Sequence, residues 1–170
     1  MYLDRLSRPD AVVNATSVGG RISLAASAVG HVLLAGLSRA VIEALAANGI
    51  HRYTSRTPQT VERLLAVVDA ARKNGYAVAD GFVHLDARGM AAPIYDSEGH
   101  TVAGLGVVVP ADEPVSMRIV DLLRHAAHGV SQQMRAAYIE SHHPRALPGA
   151  NFRALINSSR SSMEYFQEHE

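Results

Sequence analysis

The segment MAAPIYDSEGHTVAGLGVVVP, Met90 to Pro110, places two glycines where a strand would normally carry side chains. Counting by twos, Thr101, Ala103, Leu105, Val107 and Val109 share one face, and Val102, Gly104, Gly106 and Val108 share the other. A glycine inside a strand costs roughly 0.5–1 kcal/mol relative to alanine, so the two gaps call for an occupant. Two fit: another stretch of backbone packed close, or a small molecule seated on the strand. A second group, Ser27-Ala28-Val29-Gly30, begins a helix whose unpaired N–H groups suit a carboxylate or carbonyl. A third is the histidines. His125 and His128 have the three-residue spacing of a two-ligand metal clip, with His142 and His143 further on, but no third ligand stands nearby. His31 reads as an exposed helix residue, and Arg88 as half of a surface ion pair with Asp86. No G-x-S-x-G, H-E-x-x-H, Walker loop or strand-to-helix G-x-G-x-x-G occurs, and Gly104-Leu105-Gly106 lies inside a strand. Scattered Asp, His and Ser residues are all that an enzyme would have to work with.

The elements that must position these groups follow from periodicity and turn chemistry. Tyr2–Leu6 and Ala11–Val18 flank Ser7-Arg8-Pro9-Asp10 and read as a hairpin. Ser23–Leu37 is expected to be a small-residue helix, with Ser38 capping a shorter one that ends near Asn48-Gly49. Thr57-Pro58 predicts a helix start, Val61, Leu64, Leu65, Val68 and Ala71 its buried stripe, and Asn74-Gly75 its end. A strand starts at Tyr76, Phe82–Arg88 is left unassigned, and the glycine-bearing hairpin turns at Asp96-Ser97-Glu98-Gly99. Asp112-Glu113-Pro114 then opens a long helix with an acidic first turn. Its stripe is Ile119, Leu122, Leu123, Ala126, Val130, Met134 and Ala137, and His142-His143-Pro144 stops it. This order predicts an α+β fold with an antiparallel sheet. Residues 1–141 form the expected main domain. Residues 142–170 form an extension in which Phe152, Leu155, Ile156, Met163, Tyr165 and Phe166 allow one further helix.

Composition narrows the function classes. The 170 residues hold 16 Lys and Arg against 16 Asp and Glu, which argues against a nucleic-acid surface and a polybasic membrane patch. Without cysteine there is no thiolate nucleophile, disulfide or cysteine zinc site. The longest apolar run, Leu24–Leu37, is 14 residues, short of a membrane span. A cytoplasmic protein with no cofactor is the expectation.

From Val18 the chain resembles the effector-binding domain of the IclR family of bacterial transcription regulators. That family reads Val-Gly-x-Arg-x-Pro-Leu-x-x-Ser/Thr-Ala-x-Gly-Lys-x-Leu-Leu-Ala. It is matched here by Val18, Gly19, Arg21, Leu24, Ser27, Ala28, Gly30, Leu33, Leu34 and Ala35, with His31 in place of the lysine. Arg72-Lys73-Asn74-Gly75-Tyr76 resembles its Arg-x-x-Gly-Tyr, and Ala91-Ala92-Pro93-Ile94-Tyr95-Asp96 with Gly99 resembles its Ala-Ala-Pro-Val-Phe-Asp-x-x-Gly. The three blocks stand in family order and cover roughly residues 2–134. The resemblance implies a GAF-like sensor, a curved antiparallel sheet whose concave face holds a small effector. By position in the motifs, the pocket would be lined by Asn14, Ile22, Ala28, Val29, Ala79, Asp80, Gly89, Gly106 and Val108. Asp80 and Asn14 would be its polar anchors.

With so few polar anchors, the expected effector is a carboxylic acid or a fairly apolar, aromatic metabolite rather than a small diacid. The resemblance also implies a homodimer or tetramer, and DNA contact only through a winged helix-turn-helix domain that this chain does not contain. The competing readings are a stand-alone α+β hydrolase or isomerase using Asp80 and a histidine, and a ligand-free dimerisation module.

Overall fold

A computed structural model describes residues 1, 3–6, 18–112 and 114–142, with side chains as far as residue 138. Of the expected N-terminal hairpin, residues 3–6 and 18 are described and carry no strand; its other residues, Asn14 among them, and the helix expected within Arg145–Glu170 lie outside the described residues. The chain divides into two units, Met1–Tyr138 and Ile139–Glu170. Apart from the last turn of one helix, everything described below belongs to the first.

Small residues set how closely the layers meet. Three strands, β1 (Ala77–Asp80), β2 (Ala87–Tyr95) and β3 (Thr101–Pro110), form an antiparallel sheet in the order β1-β2-β3. The register aligns Ala79 with Gly89 and Val108, Ala77 with Ala91 and Gly106, and Pro93 with Gly104. One sheet face is therefore almost entirely alanine and glycine. The other carries Val78, Met90, Ala92, Ile94, Ala103, Leu105, Val107 and Val109. The β2–β3 turn forms as expected: the Asp96 carboxylate accepts from the amides of Glu98 and His100, both at 2.9 Å, and Gly99 takes a positive φ.

Helix α1 (Ala28–Ala35) lies on the small-residue face, where Ala28 and Val32 pack with Ala71, Ala77, Ala79 and Ala91. It begins five residues later than expected, because the Ser27 side chain accepts from Gly30 N at 3.0 Å and the residues before it turn. Gly30 is required by close packing: a Cβ there would overlap the Leu24 carbonyl and stand 2.5 Å from Leu24 Cα. Helix α2 (Arg39–Ala46) is capped by Ser38 as expected. Helix α3 (Val61–Asn74) starts three residues beyond Thr57-Pro58. Thr60 is its cap, while the Thr57 hydroxyl is used in the preceding loop. Gly75, in the left-handed conformation, ends α3 as expected. Leu34, Ile42, Leu64, Leu65 and Val68 form the core shared by α1, α2 and α3.

Helix α4 (Met117–His142) covers the larger-residue face through Val120, Leu123 and Ala127. Two sequence expectations fail here. No acidic residue lies in its first turn, since it starts at Met117. Its buried stripe is Val120-Leu123-Ala127-Ser131, while Leu122, Val130 and Met134 are exposed. Ser131 explains the choice of face: its hydroxyl donates to Ala127 O and accepts from Tyr95 N, both at 2.9 Å, tying α4 to the end of β2. No helix of the described residues is long and apolar enough to cross a membrane.

Candidate functional site

Six of the expected site residues come together. Ala28 and Val29 form the first turn of α1, and beneath them lie Ala79, Gly89, Gly106 and Val108 on one sheet face. At Gly89 a Cβ would fit in ordinary van der Waals contact, 3.6 Å from Ala28 Cβ and 4.0 Å from Ala79 Cβ, so Ala28 lies directly over this position. Val108, at the same end of the sheet, is 43% exposed. The face is thus apolar, covered by Ala28 at Gly89 and exposed at Val108. Ser27 satisfies the Gly30 amide, and His31 N donates to Ser27 O at 2.9 Å. The amides of Ala28 and Val29, in the first turn, have no hydrogen-bond partner among the described residues. They are the donors available to an anion there.

The two glycines of β3 admit the helix rather than leaving a void. A Cβ at Gly104 would stand 2.9 Å from Val32 Cγ2 and 3.1 Å from Val29 Cγ1. At Gly106 it would meet Val29 Cγ2 at 3.0 Å and the Met90 carbonyl at 3.2 Å. The ligand-floor alternative for these gaps is therefore corrected. Gly106 is an exposed rim position, but the direction of its missing side chain is filled by Val29.

Asp80 does not join the cluster. Its register partner is Arg88, on the opposite sheet face, and Arg88 Nε donates to the Asp80 carboxylate at 2.9 Å. Arg56 Nη1 reaches the other carboxylate oxygen at 3.4 Å, and Arg88 Nη2 donates to Ala111 O at 2.9 Å. This corrects the reading of Arg88 as the surface partner of Asp86. Arg88 is 8% exposed and holds Asp80. Asp80 is thus a structural anion, already shared by two guanidinium groups. Ile22 is half-buried in the segment leading to α1.

Sequence reasoning missed two residues. Phe82 packs against the Ala28–Ala79 cluster, and its backbone is fixed by side chains from the loop before α3. Thr57 Oγ1 donates to Phe82 O and Thr54 Oγ1 to Gly81 O, both at 2.6 Å. His31, expected on the surface, is 0% exposed. Its Nε2 lies 3.0 Å from Ala25 O, and its ring meets Phe82 edge-on with centroids 5.7 Å apart. Burial pushes its pKa below the usual histidine value, outweighing the opposing effect of the Ala25 hydrogen bond. The available signal was that His31 lies one residue beyond Gly30 in a helix that is apolar all round, where no face is left for solvent.

Two clefts flank Gly75, Pro93 and Tyr95 at the other end of the sheet. One, about 220 Å³, adds Arg72, His100 and Thr101; the other, about 410 Å³, adds Asp121, Arg124, His125 and His128. None of the expected site residues lines either. His125 Nδ1 lies 3.0 Å from Asp121 O, and His128 pairs with Gln132. No group of three metal-ligating side chains occurs among the described residues.

A three-stranded antiparallel sheet with a short helix seated on an alanine–glycine face and a long helix behind it defines an α+β domain, as the sequence predicted. The family model for the C-terminal domain of bacterial transcriptional regulator IclR matches residues 1–132, and the chain belongs to that family. It is 34% identical over 122 residues to the HTH-type transcriptional regulator KdgR of Escherichia coli, covering 69% of this chain and 46% of that one. The fold superposes on the crystal structure of the C-terminal domain of KdgR with a TM-score of 0.65 and 32% identity, covering 69% of this chain and 74% of that one. It also superposes on an IclR homolog from Microbacterium hydrocarbonoxydans complexed with 4-hydroxybenzoate. There the TM-score is 0.73 and the identity 35%, covering 78% of this chain and 55% of that one. The chain spans less than half the length of the curated regulators it matches, as the 38% for the Pca regulon regulatory protein of Pseudomonas putida and the 46% for KdgR illustrate.

Proposed function

We propose that this chain is the effector-sensing part of a bacterial transcription regulator and that its effector is a small aromatic acid. The ring would rest on Val108 beside the first turn of α1, with Val29 and Phe82 as neighbours. The carboxylate would take the amides of Ala28 and Val29. The observation that carries this reading is that two unpartnered amides stand at the head of a helix seated on an apolar sheet face whose end, at Val108, is exposed. Membership of a regulator family and the 4-hydroxybenzoate complex of a 35% identical relative support it. Asn14, outside the described residues, and Ile22 would complete the entrance. Binding would bias the arrangement of a homodimer, and through it an attached DNA-binding domain, by no more than the ligand's differential affinity for the two arrangements.

Calorimetry and thermal melts with benzoate and 4-hydroxybenzoate test the site. A ligand at about 100 times its dissociation constant stabilises by about 2.7 kcal/mol. Val108→Asp, which puts a negative charge where the acid would lie, should abolish that shift. Absence of any shift with wild type, or a full shift in Val108→Asp, would refute the assignment.

A further inference from the structure

We propose that α2 is a contact between two copies of this chain, packed antiparallel against itself about a two-fold axis at Val41. The helix is apolar on more than its inner side. Ile42 and Ala46 are buried against the core shared with α1 and α3. Val41 and Leu45, one turn apart, are 44% and 52% exposed, and Leu37, in the residue before the Ser38 cap, is 40% exposed. Single exposed aliphatic residues are ordinary surface, but these three recur every four residues along one short helix and its entrance. At about 3.6 residues per turn, Arg39 and Glu43 fall on the other flank. Arg39 Nε donates to Glu43 Oε1 at 2.8 Å, and their side chains are 71% and 45% exposed. Between the two flanks stand Ala40 and Ala44, both exposed.

The order of these residues names the occupant. A two-fold contact requires that where residue i meets j, j also meets i. The stretch Leu37-x-Arg39-x-Val41-x-Glu43-x-Leu45 meets that requirement when it is read outward from Val41. A two-fold axis lying across two antiparallel helices keeps each flank opposite the same flank of the partner, reversed in direction. Val41 then meets the partner's Val41, and Leu45 meets the partner's Leu37. On the other flank Arg39 meets the partner's Glu43, and Glu43 meets the partner's Arg39. Moving the axis to Glu43 would still bring Val41 against the partner's Leu45, but it would set two Glu43 carboxylates against each other. Charge therefore selects the register centred on Val41, as flanking charges do between coiled-coil helices. Eight helical residues cover far less than the roughly 800 Å² per partner of a standard stable interface, so the contact is weak and depends on concentration.

The 170-residue chain is followed by sedimentation up to high micromolar protein as wild type, Arg39→Glu, Glu43→Arg, the double reversal and Val41→Glu. Each single reversal sets like charges opposite each other in both cross-helix pairs and should weaken self-association about tenfold, and the double reversal should restore it. Val41→Glu, which brings two carboxylates together on the axis, should weaken it by more than tenfold. An equal mixture of Arg39→Glu and Glu43→Arg sets an acidic flank against a basic one. In native mass spectrometry its mixed complexes should exceed the half expected from random pairing. If Val41→Glu fails to fold, the reversals at the exposed Arg39 and Glu43 decide alone. A dimer built on the exposed face of α4 instead would associate equally in all these variants and pair at random in the mixture. Either of those outcomes, or a wild type that stays monomeric throughout, would overturn the α2 contact.

Discussion

The alanine–glycine face makes opposite predictions for two glycines on the same sheet. At Gly104 a methyl group would sit 2.9 Å from Val32 Cγ2 and 3.1 Å from Val29 Cγ1. Ordinary carbon contacts lie at about 3.5–4.0 Å, so α1 would have to lift by roughly half an ångström or more. It is poorly placed to do so. Arg72 ties its C-terminal end through Ala35 O at 3.0 Å and Leu37 O at 3.1 Å, and the Leu24 backbone is pressed on Gly30. Valines also have little rotamer freedom in a helix. Overpacking of this kind costs about 1–3 kcal/mol, against which alanine recovers about 0.5–1 kcal/mol of backbone entropy. The net expectation for Gly104→Ala is a loss of about 1–1.5 kcal/mol. At about 2–4 °C per kcal/mol for a chain of this size, that lowers Tm by about 2–6 °C. Gly89→Ala has contacts of 3.6–4.0 Å only, so the entropy gain stands and Tm should rise by about 1–4 °C. Melting both variants beside wild type, with denaturant unfolding to give the free energies, is sufficient. A Gly104→Ala protein that melts with or above wild type would mean that α1 is not seated on β3. A Gly89→Ala protein as damaged as Gly104→Ala would mean that Ala28 is seated closer to β2 than these contacts allow.

Three further outcomes follow from named groups. The folded protein holds His31 neutral with its pKa lowered by burial, so the unfolded chain binds a proton that the folded chain does not. Stability from this residue is therefore complete above about pH 6.5 and is lost as pH falls below it, by up to about 1.4 kcal/mol per unit. His31→Phe should remove that component from denaturant midpoints measured between pH 7 and 5, and an unchanged profile would contradict the burial. Asp80→Asn should cost about 1–2 kcal/mol, because Arg88 is buried while Asp80 is itself partly exposed. It should leave aromatic-acid affinity unchanged in calorimetry, and a large loss of affinity would return Asp80 to the site. Leu122, Val130 and Met134 form an exposed stripe on α4, and Leu122 is 62% exposed. A homodimer that uses it should weaken on Leu122→Glu with Met134→Glu in sedimentation at micromolar protein, and a wild-type monomer there would exclude it.

Much of the fold was legible because it is written in local chemistry. Ser38, Asn74-Gly75 and the Asp96–Gly99 turn each stop or start an element through a hydrogen bond or a backbone conformation that neighbouring residues determine. The failures share another cause. Thr57-Pro58 has the makings of a helix start, but the Thr57 hydroxyl is claimed by Phe82 O, 25 residues away. Asp112 precedes a helix whose first turn is fixed elsewhere. The α4 stripe was misread because the helix has two apolar faces, and the one that packs is chosen by Ser131 reaching Tyr95 N across 36 residues. Periodicity ranks faces by hydrophobicity. Packing on a sheet ranks them by how closely they approach, and Ala127 with Ser131 outranks Val130 with Met134 on that scale.

The same distinction governs the site. The residues that the family motifs pointed to are largely brought together, since Ala79, Gly89 and Val108 share a register row and Ala28 lies over it. Alternation along one strand also sorted the two faces of β3 correctly, but it could not say which occupant fills the gaps. That depends on α1, more than 70 residues earlier in the chain. Val29 and Val32 occupy the space above Gly106 and Gly104, Ala28 covers Gly89, and only Val108 is left exposed on that face. Asp80 fails for a reason of parity. It is adjacent to Ala79 in sequence and therefore on the other side of the sheet, where Arg88 waits in register. With its nominal polar anchor removed, the floor has no charged side chain among Ala28, Val29, Ala79, Gly89, Gly106 and Val108. An acid bound there, as proposed, would be held by backbone amides at the head of α1 and not by a side-chain charge.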